Sequence, residues 1–242
     1  MKKLLIFIYQ FYKWLFLIPF FLISSIIFGI IAVVLSLLIN QKVGSYIGGV
    51  IWARLHCFLT PVFVKLKGRD HILKKQSYVI VANHQSAYDI LVLYAWLGVD
   101  FKWVMKKEIS KIPGVGFGSK AVGHIFIDRS STKAAISTIN AAKSKIKDGT
   151  SVIFFPEGTR SRTREMLSFK KGAFRFAFDL NLPILPVTIK GTREILPSGT
   201  TNLLPGKAEI IIHPAIELKK YFPEDLDGLM ADTRSAIEKG LR

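Results

Sequence analysis

Asn83-His84-Gln85-Ser86-Ala87-Tyr88-Asp89 is the stretch of this chain whose residue types and spacing best suit chemistry. Ser86 offers an N-cap, so Asp89, three residues on, falls in the first turn of a helix that continues through Ile90, Leu91 and Leu93. His84 lies just outside that helix, within reach of the Asp89 carboxylate. A carboxylate on one imidazole nitrogen fixes the tautomer and leaves the other nitrogen free as a base. A second reading is structural: Ser86 and Asp89 form a capping box for backbone N–H groups, and His84 is merely exposed. Taken alone, so short a pattern leaves both readings open.

The element that must deliver His84 is Tyr78–Ala82, apolar and partly β-branched, which suits a buried strand ending in Asn83-His84. Further strands are predicted at Val62–Leu66, Phe101–Met105, Ile125–Ile127, Val152–Phe155, Ile184–Ile189 and Glu209–His213. Helices fall between them. One runs from near Ser86 to Gly98. Another is capped by Ser130 or Ser131, carries Ile136, Ile139, Ala142 and Ile146 near one face and is closed by Gly149. A third covers Ser168–Leu180, and the tail is helical from Glu224. Strand-helix-strand order implies parallel pairing with right-handed crossovers, so the expected fold is α/β, a mostly parallel sheet flanked by helices. Three strands end in polar clusters: Asn83-His84, Asp128-Arg129 and Pro156-Glu157-Gly158-Thr159-Arg160. In open α/β sheets ligands bind at the carboxyl ends of strands, so these clusters should meet on one edge.

The N-terminus has a different composition. Trp14 to Gln41 carries no charge over 28 residues, longer as one straight helix, at about 42 Å, than the roughly 30 Å core of a bilayer. Pro19 is expected to break it into an interfacial piece with Lys2, Lys3 and Lys13, and a piece from Phe20 to Ile39 long enough to span. A second apolar stretch, Val43–Leu59, is interrupted by Arg54 and His56 and continues the membrane-facing surface. The chain has 34 basic and 17 acidic residues, a net charge of +17 and a mean hydropathy of +0.34, which suits an anionic membrane surface or anionic ligands, with nucleic acid as the competing explanation. Residues 1 to 41 carry +3 and the remainder +14, so a single span would leave a basic region on each side. A two-helix hairpin or re-entrant anchor with both ends cytoplasmic fits better. The domain division expected is therefore 1–60 as membrane-embedded helical anchor and 61–242 as α/β domain. Cys57, the single cysteine, excludes an internal disulfide and a multi-cysteine zinc site and fits a reducing compartment.

Four blocks in order now carry a resemblance: Asn83 to Asp89, Gly123-His124-Ile125-Phe126-Ile127-Asp128-Arg129, Phe155-Pro156-Glu157-Gly158-Thr159-Arg160-Ser161, and Leu182-Pro183-Ile184-Leu185-Pro186-Val187. The chain resembles the glycerolipid acyltransferase family over about half its length, and an apolar N-terminal anchor is also usual there. The resemblance implies transfer of a fatty acyl group from an acyl-carrier-protein or coenzyme A thioester to the sn-2 hydroxyl of lysophosphatidate, giving phosphatidic acid. It implies no metal, no cofactor beyond the thioester, no nucleic-acid partner, and a cell-membrane location with the catalytic domain facing the cytoplasm. His84 and Asp89 become the catalytic pair. No serine or cysteine sits in a nucleophile elbow, so the acceptor hydroxyl attacks the thioester directly. Backbone N–H groups near the helix start after His84 are candidates for the oxyanion. Arg160, whose fork suits phosphate oxygens, is expected to bind the acceptor together with Gly158 and Thr159. Lys106 and Arg129 are further candidates by resemblance. Lys107 is not separable from Lys106 by spacing, and for Lys106, Lys107 and Arg162 the bland reading is a solvated basic surface. Glu157 is expected to orient Arg160 or touch the acceptor, or else to form a structural salt bridge. His124 reads as structural, His71 and His213 carry no signal, and Gly114, Gly116 and Gly118 suggest a flexible turn.

Three rivals remain: the same chemistry on glycerol 3-phosphate or another lysolipid, a hydrolase with a cation on His84, Asp89 and Glu157, and a non-catalytic lipid-binding protein.

Overall fold

Among the described residues, seven strands form one sheet in the order β1-β7-β6-β2-β5-β3-β4. They are β1 (Val62–Lys67), β2 (Val79–Ala82), β3 (Phe101–Lys106), β4 (Ile125–Ile127), β5 (Ser151–Phe154), β6 (Ile184–Lys190) and β7 (Gly206–Ile212). The computed structural model describes residues 2–128, 137, 138 and 140–242. Neighbours pair in parallel except β6 with β7, so the sheet is mixed but mostly parallel. The strand bounds lie within a residue or two of those predicted, except that β7 starts three residues earlier.

Alternation along β2 divides the interior. Ile80 and Ala82 face one core with α4 (Trp52–Leu59) and α5 (Tyr88–Trp96). Val79 and Val81 face the other, against α7 (Gly172–Leu180) and α9 (Leu226–Leu241). A strand buried on both faces reads as a continuous apolar run, the pattern that marked β2 in the sequence. Of the helix expected between Ser130 and Gly149, residues 130–136 and 139 lie outside the described residues; 137, 138 and 140–142 are helical, a 3-10 turn Lys143–Lys145 follows, and Ala142 and Ile146 are buried in the second core.

The N-terminus corrects one expectation. Pro19 does not break the helix: α1 (Lys2–Tyr12), a π-helical stretch Lys13–Leu17 and α2 (Ile18–Leu38) run on, and Ile6–Leu38 forms one apolar helix of 33 residues. The π-helical residues immediately before α2 absorb the lost N–H and the ring of a proline in its first turn. The chain turns at Asn40, whose side chain accepts the Val43 N–H, and returns through α3 (Gln41–Ser45), a π-helical stretch Tyr46–Ile51 and α4, making a helical hairpin. This hairpin is fused to the sheet, since Ala53 and Cys57 of α4 belong to the same core as Ile80 and Ala82.

Gly114, Gly116 and Gly118 are not a flexible turn either. They begin and line α6 (Val115–Ala121), which is pressed onto α2 so closely that a Cβ on Gly29 would lie 2.4 Å from the Gly114 carbonyl oxygen. Gly114 and Gly118 are therefore required by a backbone-to-backbone helix contact, while Gly116 lies against the Ser110 backbone.

Candidate active site

β2 ends at Ala82, and Asn83 then fastens that end to its neighbour. The Asn83 amide donates to the Ile189 carbonyl at 2.9 Å and accepts the Ile189 N–H at 2.8 Å. His84 follows, with its ring stacked on Phe155 at 3.8 Å and 8°, and Phe155 in turn lies against Trp103. The imidazole plane is thus set by packing before any hydrogen bond is counted.

Asp89, in the first turn of α5, is fully buried. Its Oδ2 accepts His84 Nδ1–H at 2.9 Å and the Gln85 and Ser86 backbone N–H groups at 2.8 and 2.9 Å. Its Oδ1 accepts the Thr192 hydroxyl. The two readings of this stretch are therefore both realised by one carboxylate, which reaches back to the helix start and orients the imidazole together. Ser86 is not the N-cap itself: α5 begins at Tyr88, and the Ser86 hydroxyl accepts the Tyr88 N–H and donates to the Leu196 carbonyl. His84 Nε2 has no hydrogen-bond partner among the described residues, and the side chain is 13% exposed. A neutral imidazole held at Nδ1 with Nε2 open is arranged to accept a proton.

The third sequence block meets the first through the main chain. The His84 N–H donates to Glu157 Oε1 at 2.7 Å, and the His84 carbonyl accepts the Ser161 N–H at 2.8 Å. Glu157 Oε2 accepts the Leu167 N–H at 2.8 Å. Glu157 is 3% exposed, and burial raises its carboxyl above the ordinary range while the two amide bonds pull it back. Geometry thus corrects the expectation for Glu157. Among the described residues neither Arg160 nor any salt bridge engages it; it clamps the His84 turn to the loop that follows β5, with both oxygens occupied.

Arg160 immediately precedes Ser161 and is exposed, as is Thr159, and Gly158 turns the chain at φ +74°. Lys106 ends β3. The registers Trp103 with Ile153 and Val81 with Phe154, extended by three and two residues, set Lys106, Pro156 and Asn83 at one level of the sheet. The Lys106 and Arg160 side chains make no hydrogen bond or ion pair among the described residues. Lys107, by contrast, is bonded to Asp128 at 3.0 Å, which separates the two lysines that spacing could not. Arg129 lies outside the described residues. The backbone donors at the helix start are less available for an oxyanion than expected, because the amides of Gln85, Ser86 and Tyr88 are all engaged.

Two residues of this site went unassigned in the sequence. Phe155 was visible only as the apolar opening of a motif. Thr192 had a faint signal, a Gly191-Thr192 pair just after the predicted strand Ile184–Ile189. His124 is buried between the Tyr94 hydroxyl and the Trp103 N–H, and burial, reinforced by nearby Lys102, lowers its pKa to about 3, a structural neutral histidine as read.

Residues 63–190 match the Acyltransferase family model. A 1-acyl-sn-glycerol-3-phosphate acyltransferase of Chlamydomonas reinhardtii is 34% identical over 79% of this chain and 56% of its own length. The mouse 1-acyl-sn-glycerol-3-phosphate acyltransferase alpha is 30% identical over 74% and 64%. The chain spans about half the length of the plant and algal relatives it matches. Among solved structures, the 1-acyl-sn-glycerophosphate (LPA) acyltransferase PlsC of Thermotoga maritima superposes with a TM-score of 0.80 at 26% identity, covering 94% of this chain and 92% of that one. The matched span contains His84, Asp89, Lys106, Glu157 and Arg160, and the chain belongs to the acyltransferase family.

Proposed function

We propose that this chain transfers a fatty acyl group from an acyl-carrier-protein or coenzyme A thioester to the sn-2 hydroxyl of 1-acylglycerol-3-phosphate, giving phosphatidic acid. The observation that carries the reading is His84, held at Nδ1 by a buried carboxylate at 2.9 Å with Nε2 unpartnered among the described residues, on a residue whose carbonyl accepts the Ser161 N–H next to the exposed Arg160. Nε2 takes the proton of the acceptor hydroxyl as its oxygen bonds the thioester carbon. The tetrahedral adduct then collapses, and the sulfur leaves with that proton. Cys57 is fully buried in α4, closed to an acyl donor, which favours direct attack over an acyl-enzyme. Lys106 and Arg160, joined by Arg129 on resemblance, supply cations for the acceptor phosphate, and the Gly158-Thr159 turn presents Arg160. The reaction uses no metal or further cofactor. A cation site on His84, Asp89 and Glu157 is disfavoured because each carboxylate oxygen already accepts from a protein donor.

Residues 1–60 act as the membrane anchor of the 61–242 catalytic domain, at the cytoplasmic face of the cell membrane. The contacts of the long helix favour an anchor that lies along the membrane over one that crosses it. At about 50 Å it exceeds the roughly 30 Å apolar core. One face is held by α4 and the domain together, from Tyr12, which donates to the Leu59 carbonyl, through Ser24 on His56, to Gly29 on α6. The opposite face exposes Phe7, Phe16, Leu22 and Leu37.

Purified protein in detergent, supplied with each thioester donor and a panel of acceptors, tests the reading. Phosphatidic acid should form from 1-acylglycerol-3-phosphate, and His84→Ala should abolish it while leaving the circular dichroism spectrum intact. Preference for glycerol 3-phosphate would move the acceptor assignment, and near-normal turnover by His84→Ala would end the assignment of the base.

A further inference from the structure

We propose that Thr192 is a positioning residue for the catalytic pair, its hydroxyl holding the Asp89 carboxylate in the orientation that the His84 imidazole requires. The inference rests on the reading of His84 as the base. The two oxygens of Asp89 are not equivalent: Oδ2 serves His84 Nδ1 and the Gln85 and Ser86 amides, whereas Oδ1 accepts from Thr192 alone among the described residues. Three of the four donors come from the strand-to-helix turn that carries the pair. The fourth comes from 103 residues away, at the start of α8 (Thr192–Ile195) after β6.

The architecture makes that long-range contact dependable. Asn83 bonds both backbone groups of Ile189, so the ends of β2 and β6 are tied together next to the site. Gly191, at φ +82°, turns the chain back, and Thr192 enters a position with no solvent exposure. Asp89 is equally buried, so an Oδ1 without a donor would have no water to replace it. The carboxylate would then rotate or share its remaining donors differently, and the imidazole bonded to it would move or change tautomer. Oδ1 engaged elsewhere also keeps negative charge from concentrating on the oxygen that faces Nδ1. Glu157 is the other titratable group beside His84, and its carboxylate is fixed by two amides that Thr192 does not touch.

The test uses the full chain in detergent, 1-acylglycerol-3-phosphate as acceptor and the thioester that the wild type uses. Thr192→Val keeps the shape and removes the donor. It should lower kcat about tenfold, the scale of one charge-assisted hydrogen bond, and leave both KM values unchanged. It should also move the acid limb of the kcat profile to higher pH, since a carboxylate short of one donor holds the protonated imidazole more strongly. Thr192→Ser should restore both, and Thr192→Cys, a weaker donor of similar size, should fall between. Thr233→Val serves as control, because that buried hydroxyl bonds the Leu229 carbonyl within α9 and its loss should cost stability without moving the limb. Should Thr192→Val fold poorly, Thr192→Cys carries the test. Wild-type kcat and profile in either variant overturn the proposal, as does a loss that follows the folded fraction with the limb unmoved. His84→Ala, run alongside, separates the failures: if it stays active the base reading falls, and if it is inactive while Thr192→Val is normal only Thr192 is released.

Discussion

On one side of the rim, every oxygen of Asp89 and Glu157 is taken by a protein donor, and the His84 ring is fixed by stacking as well as by hydrogen bonding. On the other side, Arg160 and Lys106 are exposed and engage nothing among the described residues. The two sides share a loop, since Glu157 and Arg160 are three residues apart. Groups that must be in place before chemistry are satisfied internally, which costs no reorganisation at the moment of reaction. Groups that bind a charged ligand keep their donors free for it, at the cost of leaving their side chains unrestrained in its absence.

The largest effect should come from breaking the satisfied side at its centre. Asp89→Asn preserves shape but removes the charge: the amide oxygen stays on the Gln85 and Ser86 N–H groups and the NH2 turns to the Thr192 side, so the imidazolium formed when His84 takes the proton loses its counter-charge. A loss of kcat of about a thousandfold or more is expected, with KM little changed and the fold intact. Equal losses in kcat and in acceptor binding would instead mean that Asp89 also serves the ligand side. Arg160→Ala should act in the opposite sense. Removing a cation that meets substrate in ground and transition state alike raises the KM for the phosphorylated acceptor, by about ten- to a hundredfold, with kcat nearly retained. A collapse of kcat at saturating acceptor would show that the guanidinium belongs with the chemistry.

The contrast also explains what the sequence could reveal. An apolar strand such as Val79–Ala82 is visible because burial on both faces demands an unbroken apolar run. The His84 and Asp89 pair is visible because one strand-to-helix turn supplies both members, and Arg160 because the turn that carries it is a distinctive motif. What stayed hidden depends on contacts between distant segments. Thr192 reaches Asp89 only once β6 lies beside β2, and the clamp by Glu157 uses backbone N–H groups that have no side-chain signature. The glycines of α6 misled for a related reason: a glycine required by a neighbouring helix backbone has the same letter as one that permits a turn. Pro19 misled because the π-helical residues ahead of it relieve the clash that would otherwise end the helix.

The smallest effect sharpens the cationic side. Lys106 and Lys107 are adjacent and both exposed, yet Lys107 is engaged with Asp128 at 3.0 Å while Lys106 is unengaged and level with Asn83. If free cations at the strand ends are the ones that meet phosphate, Lys106→Ala should raise the acceptor KM about three- to fivefold, the scale of one exposed charge contact. Lys107→Ala should leave it within twofold, because its charge is already partly spent on an exposed carboxylate. The difference should shrink as salt is raised, since both side chains are solvent-exposed and screened. Identical KM values for the two variants at low salt would return both lysines to a diffuse basic surface and leave Arg160 as the cation that distinguishes the two sides.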